Sequence, residues 1–355
     1  DILDLTYMNV MKYADRQALE DLTPYLEKEG MPGKEGLLDQ FAEGYTVDGR
    51  LVAIPKSFAI SVIMGRKSEV GDSKGWTMEE VYALTQMHPK SRLMAMDSFE
   101  YVLEELCADY ILETFIDWQE GNCRFDSGEF QELMEWMGEQ TDRVDRIFAE
   151  GDYRGGMVPD DMLLLDGTCY FASDFLRYQT SFGEDMTVIG YPTEEGWASY
   201  QGVPDMLLGI TSASRHKEGA GQFLEFFLAK KSDFGFPVWK EDIEQLLEDE
   251  MTPEFLPGEN GEPWLDGNGE PVPRAKGAFT VNGEEIEYYA ITKEQADEMR
   301  SVIAAAAFTP AGGVRDEVIG IIMEEMRSYL YHEKSLEEVT GIIQNRVRTM
   351  VQEGM

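Results

Sequence analysis

The chain has 355 residues, with 30 Lys and Arg against 69 Asp and Glu, for a formal net charge of −39 and a pI near 4.3. That length fits two or three domains of roughly 100–200 residues, and 43% hydrophobic with 11% aromatic residues is enough for sizeable cores, which excludes global disorder. The charge argues against nucleic acid and against anionic lipid, since both need a basic face, and no apolar run approaches the roughly 18 residues that span a bilayer.

Three cysteines, Cys107, Cys123 and Cys169, are too few for a disulfide framework and form no CxxC knuckle. A single bridge between Cys107 and Cys123 would leave one thiol over; small buried hydrophobes are the better reading. The histidines, His88, His216 and His332, are far apart in sequence and give no pair at helical spacing. A zinc site or a His-based triad has no support from them. The chain begins Asp1-Ile2-Leu3, with no signal peptide and no lipid-attachment Cys near its start, so it is expected to be processed or a fragment.

In chain order, residues 1–6 read as a short strand, followed by a loop at Tyr7-Met8-Asn9. Residues 50–64, RLVAIPKSFAISVIM, form a β-rich apolar run that Pro55 bends. Thr77 and Glu80 have capping-box spacing ahead of Val81 and Leu84. After Asp126-Ser127, the apolar Phe130, Leu133, Met134 and Met137 fall at i, i+3, i+4 and i+7. Strands are expected over 168–173, 187–192 and 206–211, divided by glycines and short polar turns. Ala220, Phe223, Leu224, Phe227 and Leu228 then share one helical face.

From 253 to 292 the texture turns to Gly, Pro and acid. NGEP occurs twice there, at 260–263 and 268–271, and Asn282-Gly283 reads as a hairpin turn. The last quarter reads as helical, with Thr292 and Gln295 and then Ser335 and Glu338 as cap pairs. Val314, Val318, Ile321 and Ile322 carry one core face; Leu336, Val339, Ile343 and Val347 carry another. Strands alternating with helices indicate an α/β architecture.

No catalytic constellation emerges. Sixty-nine acids make carboxylate pairs unavoidable, so no glycosidase-like pair can be singled out. Asp266-Gly-Asn268-Gly-Glu270 lacks the register of an EF-hand and reads as a turn. Gly155-Gly156 and Gly312-Gly313 belong to no phosphate loop, and there is no GxSxG elbow. No cofactor or metal is implied. What remains is a set of aromatic and polar loop residues: Tyr7, Asn9, Phe58, Tyr101, Asp174, Phe175, Trp197 and Tyr200. An aromatic ring stacks on the C–H face of a sugar, and Asn and Asp bind hydroxyls, which is what a neutral polar ligand needs. Taken one at a time, packing or surface is the better reading for each.

Several segments together resemble the extracellular solute-binding proteins of family 1, the sugar-binding receptors of ABC importers. They are DILDL…KYADRQALEDLTPYL (1–26), VDGRLVAIPKSFAISVI (47–63), GWTMEEVYAL (75–84), FIDWQEGNCRFDSGEF (115–130), LLLDGTCYFASDF (163–175) and TVIGYPTEEG (187–196). LLGITSASRHKEGAGQFLEFFL (207–228), FPVWKEDIEQLLEDEM (236–251) and IIQNRVRTMVQE (342–353) complete the series. Single motifs are weak, but the helix after ITSASRHKEG with the DG-L-AIP segment is fairly specific. The style of CRFDS and IIQNRV looks like receptors of anaerobic Gram-positive gut bacteria.

The resemblance implies a type II periplasmic-binding-protein-like α/β fold, with two lobes joined by crossing strands and a ligand cleft between them. Lobe one would hold 1–57 and 207–307, and lobe two 61–203 and 313–355. The crossings would fall near 57–60, 202–206 and 308–313. The resemblance also implies a monomeric cell-surface lipoprotein that serves the membrane permease subunits of an ABC importer. It places Tyr7 and Asn9 in the loop after the first strand, Phe58 at the first crossing and Tyr101 near a helix start. Asp174 and Phe175 follow the GTCYFAS strand, and Trp197 and Tyr200 follow GYPTEEG. Gly312-Gly313 stand where relatives offer an aromatic, which argues against a long oligosaccharide. Relatives open with a βαβ unit of about 30 residues, which would precede Asp1 together with the lipidation site; lobe one is then expected to be incomplete, with an open edge near residues 1–6.

The leading functional expectation is a non-catalytic receptor that delivers a sugar or small oligosaccharide to a permease. Three others are weighed against it: the same fold binding a peptide or another small solute, a secreted carbohydrate-active enzyme, and a surface interaction protein with a closed cleft. The enzyme would need two convergent carboxylates held at different pKa values.

Overall fold

The computed structural model describes residues 1–354 apart from 97, 119, 151–161, 231, 233, 259–260 and 309–311. Gly155-Gly156, Asn260 and residues 309–311 of the third expected crossing lie outside the described residues.

The chain opens with strand β1 (Ile2–Asp4) and the short helix α1 (Val10–Ala14), which Asn9 caps by accepting from the Lys12 amide. After several short turns comes β2 (Ser57–Arg66), the longest strand. Helix α2 (Met78–Met87) starts on the expected Thr77–Glu80 capping box. Phe99–Val102 then runs through a π-helical turn, Leu103–Cys107, into α3 (Ala108–Phe115). Helix α4 (Gly128–Glu150) follows, then β3 (Leu164–Cys169), α5 (Ala172–Phe182), β4 (Met186–Val188), β5 (Tyr200–Asp205) and β6 (Leu208–Ile210).

Helix α6 (Lys217–Ala229), strand β7 (Phe236–Pro237) and α7 (Lys240–Met251) lead to the hairpin of β8 (Gly277–Val281) and β9 (Glu284–Tyr288). Its turn is the expected Asn282-Gly283, both at positive φ as a tight primed turn requires. Helix α8 (Lys293–Ala305), strand β10 (Ala306–Ala307), α9 (Gly312–Leu330) and α10 (Leu336–Gly354) close the chain, with α8 and α10 starting on the expected caps.

Strand β2 organises the molecule. One of its edges takes β7 at Ser57–Phe58 and then β3 at Ile60–Gly65; the other takes β5 at Ser57–Ser61 and then β4 at Met64–Arg66. Strand β10 joins parallel outside β5. Because side chains alternate along a strand, β2 serves two hydrophobic cores. Phe58, Ile60, Val62 and Met64 enter a first core with Leu5, Phe41, Leu208, Phe236, Val302 and Phe308. Ile63 faces the other way, into a second core with Trp76, Leu103, Phe130, Ile189, Val318 and Ile343. Ser61 lies on the Ile63 face.

The first core also takes in Leu165, Cys169, Phe175 and Phe182, from β3 and α5. Helix α5 also packs against β8, and its Gln179 accepts from Gln295 of α8 at 3.2 Å. Strand β1 pairs with β6, antiparallel, in a two-stranded sheet. All three cysteines are free thiols. Among the described residues, no helix is long and apolar enough to cross a membrane, and no group of His, Cys, Asp and Glu is placed to hold a metal ion.

Two strands depart from expectation, one in position and one in having no expected counterpart. The strand expected at 168–173 lies at Leu164–Cys169, because Tyr170 and Phe171 donate their amides to the Asp174 carboxylate and so begin α5. Strand β5 was absent from the reading since Gly202 and Pro204 break its β signal. Both are accommodated by position: a Cβ on Gly202 would lie 2.1 Å from the Phe308 ring, and β10 runs beside Tyr200 and Gln201 only, so no neighbour there needs an amide from Pro204. The Asp266 turn, by contrast, is as expected, its carboxylate accepting from the Asn268 and Glu270 amides.

Candidate functional site

The seam between the two cores carries a row of polar side chains. Thr168, Ser61 and Gln201 are directly opposed across β3, β2 and β5, so they share one face. Ser61 Oγ and Thr168 Oγ1 lie 3.2 Å apart. Two residues before Thr168, Asp166 stands on the same face, opposite Ile63. These four side chains form a part-buried polar strip.

Helices of the second core surround Asp166. Tyr101 sits in the first turn after Ser98, whose hydroxyl caps that helix, and donates its own hydroxyl to Asp166 Oδ2 at 2.8 Å. Asp166 Oδ1 is buried and has no hydrogen-bond donor. Burial pushes the Glu105 carboxyl above the usual carboxylate range, aided by the charge of Asp166 and opposed by Arg315. Arg315, near the start of α9, donates Nε to Asp109 Oδ1 at 3.2 Å and Nη2 to the Glu104 carbonyl at 2.7 Å. Tyr191 completes the group. Its side chain is 3% exposed, it makes no hydrogen bond among the described residues, and burial holds its hydroxyl neutral, with Asp109, Glu105 and Asp166 adding to the effect. Chemically, the group offers acceptors and a hydroxyl to an incoming ligand.

Further along α9, a groove of about 640 Å³ opens between the cores. Lys12 of α1 faces it from the first core, and Glu317, Ile321, Asn345, Arg346, Thr349 and Met350 line it from α9 and α10.

The eight residues singled out from the sequence fare unequally. Phe58 is fully buried among Phe41, Phe236 and Phe308, with ring centroids 5.2–5.6 Å away, so its ring packs in the first core. Phe175 is a first-core residue. Tyr200 is 1% exposed and donates to the Val188 carbonyl. Asp174 is spent on the start of α5 and on an ion pair with Arg177. Of these four, Phe58, Phe175 and Tyr200 fill core volume and Asp174 caps a helix. Asn9 caps α1, and Tyr7 beside it is 98% exposed.

Trp197 is half-exposed in a turn held by Thr193 Oγ1, and its backbone crosses so close to Gly75 that a Cβ there would be 2.3 Å away. No hydrogen bond or ring contact joins Tyr7, Phe58, Asp174 and Trp197 to one another among the described residues. Of the eight, Tyr101 alone belongs to the Asp166 group. The sequence carries no signal that singles out Asp166, Glu105, Asp109, Tyr191 or Arg315: 69 acids hide the three carboxylates, and the strand carrying Asp166 begins earlier than its β pattern indicates.

No protein-family model matches the sequence, and no curated protein matches it either. Solved structures do match its fold. The cyclic α-maltosyl-1,6-maltose binding protein of Arthrobacter globiformis superposes with a TM-score of 0.53 at 15% identity, covering 99% of this chain and 84% of its own. An ABC substrate-binding protein of Listeria monocytogenes in complex with cycloalternan gives 0.53 at 13%, covering 98% and 83%. An extracellular solute-binding protein family 1 structure from Alicyclobacillus acidocaldarius gives 0.55 at 10%, covering 99% and 84%. At these identities the likeness is one of architecture: the chain has the two-lobe fold of the periplasmic binding proteins.

Proposed function

We propose that this protein is a non-catalytic solute-binding receptor that takes a sugar or small oligosaccharide between its lobes and delivers it to the permease of an ABC importer. The observation that carries this reading is the fold match over 97–99% of the chain to proteins described as binding maltose, cycloalternan, tagatose or chitin oligosaccharide. Lobe one comprises 1–57 and 207–307, and lobe two 61–203 and 313–355. The chain crosses between them near 57–60, 202–206 and 308–313. The first-core contacts of Cys169, Phe175 and Phe182 are then contacts between lobes.

The polar strip at Ser61, Thr168 and Gln201 forms the floor of the cleft. Tyr101, Asp166 and Tyr191 supply hydrogen bonds from lobe two, while Tyr7 and Asn9 approach from lobe one and Trp197 offers a stacking face. A ligand held this way exchanges water for acceptors that the fold leaves unfilled, and lobe closure buries it. The protein works as a monomer outside the cell, anchored as a lipoprotein of a Gram-positive bacterium.

A thermal-shift screen against maltooligosaccharides, glucosamine and N-acetylglucosamine oligomers, simple hexoses and di- and tripeptides tests the reading. A ligand at 100 times its Kd stabilises by about 2.7 kcal/mol. A sugar response, with no turnover of that sugar by chromatography, supports it; a response to peptides alone overturns it.

A further inference from the structure

We infer that the preferred ligand is a sugar bearing a protonated amine, an inference that rests on the sugar-receptor reading and names its substrate class. Three carboxylates, Glu105, Asp109 and Asp166, gather here against one guanidinium, Arg315. That guanidinium is already engaged by Asp109 and the Glu104 carbonyl. The remaining negative charge has no cation of its own among the described residues.

Two further observations mark this as a place for a ligand and not merely an acidic surface. Asp166 Oδ1 is a buried acceptor without a donor. Tyr191 is buried, its hydroxyl is set among the same carboxylates, and that hydroxyl makes no hydrogen bond among the described residues. A buried acceptor left empty is costly, so the fold holds these groups ready for donors that come from outside.

An ammonium answers each requirement at once. It brings up to three N–H donors and a positive charge, and it has no lone pair to clash with a carboxylate. A neutral hydroxyl can fill Asp166 Oδ1 but leaves the charge uncompensated. A uronic acid would bring a further carboxylate among three and is disfavoured.

The experiment compares ligands that differ in this charge alone. Isothermal titration of the 355-residue protein would use a glucosamine trimer, the N-acetylglucosamine trimer, maltotriose and a galacturonic acid trimer, each at 50 and 500 mM NaCl. The expected order is glucosamine first, by about tenfold, with neutral sugars next and the uronic acid last. That preference should shrink at high salt, as charge does. Asp166→Asn should cost the amine trimer about tenfold more affinity than it costs the neutral trimers, and its melting temperature checks that it folds. If Asp166→Asn does not fold, the salt series on the unaltered protein decides.

Neutral trimers binding as tightly as the amine, or the uronic acid binding best, overturns the inference and leaves the receptor reading standing. No response to any sugar, here or in the wider screen, overturns the receptor reading and the inference with it.

Discussion

Tyr101 and Asp166, 65 residues apart in sequence, are joined by a 2.8 Å hydrogen bond from the tyrosine hydroxyl to Oδ2. The bond ties a helix start in the second core to the one polar strip on β3. It also orients the carboxylate, so that Oδ1 is the oxygen left buried and without a donor. Removing the tyrosine hydroxyl takes this donor from Oδ2 and frees the carboxylate to turn. Tyr101→Phe is therefore expected to weaken binding of the responding sugar by about five- to tenfold, the worth of one ordinary net hydrogen bond. Titration calorimetry measures this, and an unchanged affinity in a folded variant would remove Tyr101 from the site.

Phe58 makes the opposite case. Its ring meets Phe41, Phe236 and Phe308 at the place where β2 passes along the first core, and it is fully buried. Phe58→Ala should cost about 3–5 kcal/mol in urea unfolding, from lost burial and the cavity left behind. Sugar affinity per folded molecule should change little. A variant of normal stability with lost binding would return Phe58 to the ligand.

Gln344 is expected to matter as much as an apolar core residue, though it is polar. It lies in α10 and is 9% exposed. Its Oε1 accepts from the Phe125 amide at 2.6 Å, and its Nε2 donates to the Cys123 carbonyl at 2.7 Å. One side chain thus satisfies two backbone groups of the 122–125 segment. Gln344→Leu fills the same space but leaves both orphaned, for a loss of about 2–4 kcal/mol. Thermal denaturation tests it, with Gln344→Glu as a companion: that change keeps the acceptor for Phe125 and loses the donor to Cys123, so it should fall between.

The fold was legible wherever local chemistry decides the outcome. Thr77 with Glu80, Thr292 with Gln295 and Ser335 with Glu338 state helix starts in three or four residues, and Asn282-Gly283 states a hairpin. Strand β5 was not legible, because its Gly202 and Pro204 make sense only beside Phe308 and at a position where the neighbouring strand has ended. The site was harder still. An aromatic such as Phe58 or Tyr200 reads the same whether it packs or stacks on a ligand, and only its three-dimensional neighbours separate the two. Asp166 differs from the other acids by one orphaned oxygen, a property of the assembled seam and of no local sequence.

The pH dependence of stability should run against that of most proteins at the acid end. Burial raises the carboxyl pKa of Glu113, with Asp109 adding to it, and raises that of Glu105, with Asp166 adding to it. It raises Glu250 as well, where Lys276 opposes the shift and one carboxylate oxygen has no hydrogen-bond partner. A carboxyl whose pKa is higher folded than unfolded binds more protons in the native state between the two values. Each of these groups therefore favours folding below the ordinary value of 4.5 and loses that contribution as pH rises through its folded value. Exposed acids such as Asp297, held low by Lys293 and Arg300, pull the other way, but only at more acidic pH and across solvent that screens them. The formal charge of −39 adds self-repulsion as the acids ionise. The urea midpoint should accordingly be higher near pH 5 than near pH 8. Glu250→Gln, which lies outside the candidate site, should raise the midpoint at pH 8 more than at pH 5 and so narrow the difference. A midpoint that climbs steadily from pH 5 to pH 8, or a Glu250→Gln variant less stable at pH 8, would show that these buried carboxyls are paid back by partners in their ionised form.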